Sequence, residues 1–179
     1  YLYIGEFDGV TAGNPIDIEW TATSLSASLS ILDDAGNLFQ YSETGETDAF
    51  RIPNPEVLGS ADGLTTDASS IYLLDATGGV VWRFPILQDG GLGSGQTAIG
   101  RSELGAATDL AIAPDFAAST IFVSSSDGRI RRFVDGRDQG FPLTLDRPLL
   151  VPSSLIVAEA ANVLYIVDRG NDRVLVISL

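Results

Sequence analysis

The sequence predicts an all-β fold assembled from four tandem units, and two observations carry that prediction. The first is spacing. The apolar residues that open the first strand of each unit, Ile18, Leu64, Leu110 and Leu155, stand 46, 46 and 45 residues apart in the 179-residue chain. The second is a grammar repeated inside every unit: an alternating apolar strand, a polar turn with glycine, and a second strand. It recurs in Ser28–Tyr41, Ser70–Phe84, Thr120–Phe133 and Val163–Ile177. Four-stranded units of roughly 40 to 50 residues in tandem are blades of a β-propeller packed around a channel. A β-sandwich would show short strands without the long period. No segment sustains a 3.6-residue period over helical length.

In chain order, the units run approximately 13–56, 57–104, 105–147 and 148–179 within one domain, 1–179. Gly36, Gly78, Gly128 and Gly170 in the turns are expected to supply positive φ. The stretches between units hold most of the prolines, and each is expected to carry a short outer strand, at Ala49–Ile52, Gln96–Ile99 and Phe141–Leu143. Gly90–Gly95 reads as a surface loop, since the Lys-Ser/Thr pair and the helix of a phosphate-cradling loop are missing. Tyr1–Phe7 is an alternating strand with no partners in a unit of its own. Paired with Val174–Leu179 it would close a four-bladed ring and cover exposed edges. As the outer strand of an earlier blade it would make the chain part of a five- or six-bladed ring. Four is the low end of propeller sizes, which favours the larger ring.

Composition narrows the function. Ten basic residues, all arginine, against 24 acidic ones give a net charge of −14, which repels phosphate backbones and argues against nucleic-acid partners. With no Cys and no His, disulfides, thiolate nucleophiles, imidazole bases and the usual soft metal ligands are all missing. No apolar run approaches the ~20 residues of a membrane-spanning helix, so no membrane insertion of this segment is expected. Tyr1 and the lack of any Met fit a processed form or a piece of a larger protein.

The last unit carries a more specific signal. In VLYIVDRGNDRVLVI an aliphatic strand meets Asp168, a small turn with Gly170, then Asn171, Arg173 and Val174, and a second aliphatic strand. This resembles the NHL repeat, and PSSLIVAE before it is similar to that family's strand opening. The other units keep only Asp33, Asp75 and Gly128 of the signature. The succession through LDRPLLVPSSL also resembles extracytoplasmic propellers attached through a membrane helix to bacterial Ser/Thr kinases or phosphatases. That resemblance implies an extracytoplasmic sensor or scaffold module without catalysis of its own, tethered by a segment outside this sequence.

Several residues are candidates for chemistry. Asp17, Asp62 and Asp109 precede the opening apolar residue of the first three units, so they are expected to ring one mouth of the channel. Three such carboxylates are hard oxygen ligands suited to Ca²⁺, although such residues also cap turns by accepting backbone N–H bonds. Propeller lactonases of the gluconolactonase type resemble this layout but use Glu and Asn ligands not found here at matching positions, and a His-dependent lyase is excluded. Arg129, Arg131, Arg132 and Arg137 with Asp127, Asp135 and Asp138 form a charged cluster read as a solvated lattice or a patch for an acidic partner. Trp20 and Trp82, with Phe39, Tyr41, Phe84 and Phe133, read as blade packing or, if exposed together, as a sugar platform.

The resulting expectation is a non-catalytic binding module for a protein or small ligand, with no cofactor unless Ca²⁺ binds at the three Asp. A divalent-metal lactonase-like hydrolase is the first alternative. The second is a structural subunit of a surface filament or membrane-associated complex that self-assembles through Tyr1–Phe7.

Overall fold

A computed structural model of the chain describes residues 13–22, 27–42, 47–52, 60–88, 91–101, 104–113, 120–141 and 143–179. Among them, strands pair in chain order into four antiparallel sheets. Blade 1 consists of β1 (Pro15–Ala22), β2 (Ala27–Asp33), β3 (Asn37–Ser42) and β4 (Thr47–Arg51). Blade 2 consists of β5 (Gly63–Thr66), β6 (Ser70–Asp75), β7 (Val80–Pro85) and β8 (Gln96–Ile99). Blade 3 has β9 (Ala107–Ala113), β10 (Thr120–Ser125), β11 (Arg129–Val134) and the two-residue β12 (Arg137–Asp138). Blade 4 has β13 (Pro152–Ala158), β14 (Val163–Asp168) and β15 (Arg173–Ser178). The architecture is the propeller expected from the period.

Alternation along the strands explains why the sheets stack. In β6, Ile71 and Leu73 point to one side and join Leu32, Leu38, Ile52, Leu64 and Phe84 in a core between blades 1 and 2. Tyr72 and Leu74 point to the other and join Leu110, Ile112, Ile121, Val123 and Phe133 between blades 2 and 3. β6 is therefore buried throughout, as a strand covered on both faces must be. Phe122, Ile130, Leu155, Leu164 and Ile166 fill the third core, between blades 3 and 4. Each fully buried Leu, Ile or Phe contributes roughly 1.5–3 kcal/mol. The inner strands pack in succession, β1 on β5, β5 on β9 and β9 on β13, and no comparable packing joins β13 to β1 among the described residues. Four blades with three cores between them make an open arc.

The turns differ in detail from the sequence expectation. The left-handed residue is glycine in blades 1 and 3 (Gly36, φ 76°; Gly128, φ 83°), but in blade 2 it is Gly79 (φ 67°) and in blade 4 Asp172 (φ 51°). Gly170 serves close approach instead: its N–H donates to Leu150 O at 2.7 Å, and a Cβ there would collide with that carbonyl. Outer strands form at β4 and β8. In blade 3 the outer strand is β12, and Phe141 and Leu143 lie outside any strand; Phe141 packs edge-on against Phe122 instead, with ring centroids 5.2 Å apart. Tyr1–Phe7 lies outside the described residues.

A buried carboxylate closes three of the four hairpins. Asp33 Oδ1 accepts from Ala35 N and Asn37 N at 3.0 and 2.7 Å. Asp75 Oδ1 accepts from Gly78 N at 2.5 Å and from Ser60 N at 3.2 Å. Asp168 accepts from Leu150 N at 2.7 Å, Asn171 Nδ2 at 2.7 Å and Arg173 Nε at 2.8 Å. Arg173 extends this to Asp146 Oδ1 and Arg147 O, both at 2.8 Å. The NHL-like signature residues thus pin the blade 4 hairpin to the segment that enters the blade. Burial disfavours the charged form of Asp168, but the bonds from Asn171, Arg173 and Leu150 outweigh it and hold its carboxyl below the usual range. Asp168→Ala strands a half-buried guanidinium and two further donors. It should cost about 3–5 kcal/mol in urea unfolding, whereas Asp146→Ala, at the exposed end, should leave the urea midpoint nearly unchanged.

Candidate functional site

The carboxylates singled out in the sequence separate in the structure. Asp17 and Asp109 occupy equivalent positions on β1 and β9, one residue before the opening apolar residue, and each reaches to the next inner strand or the one beyond the chain's irregular link. Leu64 N donates to Asp17 Oδ2 at 2.6 Å, and Leu155 N donates to Asp109 Oδ2 at 2.7 Å. Partner and acceptor lie 47 and 46 residues apart, so the sequence period reappears as a contact between neighbouring blades. In blade 2 the equivalent residue is Gly63, over which Asp109 packs; a Cβ at Gly63 would come within 3.2 Å of Asp109 Oδ1.

Asp62 does not join them. Its carboxylate accepts from Ala76 N at 2.8 Å and from Ser60 Oγ, tying the entry of blade 2 to its own hairpin. Among the described residues no group of three or more carboxylates is arranged to hold a metal ion.

Glu19 completes the inner cluster and was not anticipated. It shares a face of β1 with Asp17 by alternation, and Thr65 Oγ1 donates to its Oε1 at 3.4 Å. Thr65 Oγ1 in turn accepts from Ile112 N at 3.3 Å. Thr108 Oγ1 donates to Pro152 O at 2.8 Å. Inner strands are therefore stapled from blade to blade by side chains. Burial, with the neighbouring charge of Asp17 and a smaller contribution from Asp109, pushes Glu19 up to about 7. Burial, offset in part by the Leu155 N–H and raised further by Asp17, pushes Asp109 up to about 7. Burial also raises Asp17. Three carboxyls at one end of the inner strands thus hold protons over a range in which exposed ones have lost them.

The arginine cluster adjoins a different feature. Because β12 ends after two residues, the chain beyond it turns inward and leaves a cleft of about 720 Å³. Ile130, Phe141, Leu143, Leu145 and Leu149 supply its apolar walls, and Arg129, Arg131 and Asp138 lie along it. Arg129 also stands 3.7 Å from Asp127 in an exposed pair. Gly128 at one end sits so close to Leu149 O that a Cβ would come within 2.6 Å. Of the aromatics, Phe39, Phe84 and Phe133 are buried, Trp82 packs partly into the first core, and Trp20 is exposed on the far side of blade 1. Apart from Trp20 they pack against neighbouring residues, and the set does not gather into one exposed platform.

No protein-family model and no curated protein matches the chain. Solved structures do. An auxiliary nutrient-binding protein from Bacteroides thetaiotaomicron superposes with a TM-score of 0.66 at 14% identity, over 89% of this chain and 47% of that one. A structure assigned as a gluconolactonase gives a TM-score of 0.65 at 17% identity, over 89% of this chain and 57% of that one. A streptogramin B lyase gives 0.57 at 11%, over 95% and 56%. These likenesses show the fold: the chain is a β-propeller built from four-stranded antiparallel blades. It spans about half the length of the structures it matches.

The raised carboxyls predict a pH dependence of stability. Glu19 and Asp109 bind protons in the folded state at pH values where the unfolded chain, titrating near ~4, has released them. Stability should therefore be greatest on the acid side and fall as pH rises through about 7. Asp168 acts with the opposite sign, since its contribution is present above ~4 and lost on acidification through its lowered value. Urea midpoints measured from pH 5 to pH 8 should decline, and Glu19→Gln should flatten the decline.

Proposed function

We propose that the chain is a non-catalytic binding module of the propeller type, and that its ligand surface is the cleft beside blade 3. The cleft carries this reading: an apolar trough of about 720 Å³ with cationic and anionic groups along it suits a ligand or peptide segment with an apolar body and a charged end. Strand β11 holds one wall, and the irregular segment after β12 supplies the other. The inner carboxylates support the same reading from the other side. Asp17 and Asp109 each accept a backbone N–H of a neighbouring strand, so their oxygens serve blade registration. The chain has no histidine to serve as a general base.

The NHL-like form of blade 4 and its lead-in support placing the module outside the cytoplasm, tethered to a signalling protein as a sensor or scaffold. Among the solved structures of this fold, a nutrient-binding protein is consistent with capture of a small ligand.

A divalent-metal hydrolase of the lactonase type is the second reading, favoured by one observation: Glu19 and Asp109 are both raised to about 7 beside Asp17, and a bound cation would relieve that crowding. Asp62 does not fit this set, because its oxygens are directed to Ala76 N and Ser60 Oγ.

Two measurements separate the readings. Decanoate, an apolar chain with a charged end, should shift the amide NMR signals of 128–131 and 140–149. Arg129→Glu should weaken it about tenfold, the loss of one charge-assisted contact. Shifts confined to 17, 19 and 109 would contradict the cleft. Thermal unfolding with millimolar Ca²⁺ or with EDTA should give the same midpoint; a Ca²⁺-dependent rise abolished by Asp109→Asn would favour the hydrolase.

A further inference from the structure

The third strand of blade 3 is only partly covered by its outer strand. In blade 1, β4 pairs with β3 as far as Leu38 with Phe50 and Asn37 with Arg51. In blade 2, β8 reaches Val81, which pairs with Ile99. Leu38, Val81 and Ile130 are the second residues of their strands and hold equivalent places. In blade 3, β12 pairs with Phe133 and Val134, and Gln139 N donates to Arg132 O at 2.8 Å. Beyond that bond the chain leaves β11, and among the described residues no backbone bond reaches the outer side of Ile130.

Alternation fixes where the uncovered groups point. In an antiparallel ladder the N–H and C=O of one residue face the same neighbour, and those of the next residue face the other. Arg132 O is directed outward to Gln139, so the N–H and C=O of Ile130, two residues away, are directed outward as well. Ile130 lines the cleft and is 5% exposed, so these groups are largely shielded from bulk water. Shielded backbone groups call for a hydrogen-bond partner, and an open strand edge is a template for a further strand.

The side chains along the edge say which strand would fit. Residues directly opposite one another in antiparallel strands share a face. A residue opposite Ile130 enters the apolar side of the cleft with Leu143, Leu145 and Leu149. Residues opposite Arg129 and Arg131, which alternate to the other face, meet guanidinium groups.

We infer that the cleft takes an extended peptide, added antiparallel to β11 as a fourth strand, with an apolar residue opposite Ile130 and an acidic residue on each side of it. This rests on the cleft being the ligand surface, and it narrows the ligand to a polypeptide. The main chain supplies affinity through paired bonds to Ile130, and the alternation of acidic and apolar side chains supplies selectivity.

The probe is acetyl-Thr-Glu-Val-Glu-Thr-amide, titrated to millimolar concentration at about 0.15 M salt to screen the acidic surface. In the free protein the Ile130 amide should exchange faster than the core amides of β10. With peptide it should slow, and the signals of Arg129, Ile130 and Arg131 should shift. N-methylation of the valine removes the N–H that faces Ile130 O and should weaken binding about tenfold. N-methylation of either glutamate, whose N–H faces away, should change binding less than about twofold. Replacing both glutamates with lysine should weaken it several-fold. If decanoate shifts the cleft signals and the peptide does not, strand addition is wrong and the cleft stands; if neither does, the cleft reading fails with it. Equal effects of the two N-methylations would overturn the proposal. So would an Ile130 amide as slow as the core of β10 before peptide is added, because another segment of the protein then covers the edge.

Discussion

The structure depends on one repeated constraint, the register between inner strands some 46 residues apart. A blade by itself is a small antiparallel sheet with two apolar faces, and it is stable only when neighbours cover them. Hydrophobic contact between faces is strong but has no direction. Direction comes from the polar staples at the inner strands: Asp17 to Leu64 N, Asp109 to Leu155 N and Thr108 to Pro152 O. Each fixes one strand relative to the next, and so decides which residues of each sheet meet across the core. The cost is visible in the same residues. Carboxylates close enough to the inner strands to reach those amides are half-buried and near one another, which raises their affinity for protons.

Much of the architecture was legible in the sequence because it is periodic. Strands such as β8 stand where the alternation put them, and Asp168, Asn171 and Arg173, conspicuous in the sequence as a motif, are joined in the structure as a hairpin clamp. What was not legible depended on contacts outside the repeat. The outer strand of blade 3 is only two residues long, and Phe141 beyond it packs on Phe122, a contact between blade 3 and its outgoing segment that no local propensity encodes. The left-handed turn positions moved from Gly78 to Gly79 and from Gly170 to Asp172 because hairpin length, not glycine content, sets where positive φ falls. Glu19 follows the opening apolar residue Ile18, outside the positions that the spacing of the units marks. Alternation from Asp17 along PIDIEW would have put it on the same face. Asp62 was grouped with Asp17 and Asp109 by approximate spacing, but it stands two residues before Leu64 instead of one, and that single step points it to its own hairpin.

The proposed function falls where the repeat is broken. Inside the blades, polar groups serve registration and hairpin closure, and apolar ones serve packing. The irregular segment between blades 3 and 4 answers to neither demand, and there an open apolar trough with charged residues along it appears. A propeller scaffold supports many activities, so the proposed function rests on this cleft and not on the fold.

The measurement that reaches the central constraint most directly is amide hydrogen exchange at Leu64 and Leu155. Both amides lie in inner strands, β5 and β13, and donate to carboxylates of another blade. They should exchange as slowly as the core amides of β6 and β10, and Asp17→Ala should release Leu64 while leaving Leu155 protected. If both amides exchange as fast as those of exposed turns, or if Asp17→Ala leaves Leu64 protected, the blades are not registered by these carboxylates and the account fails.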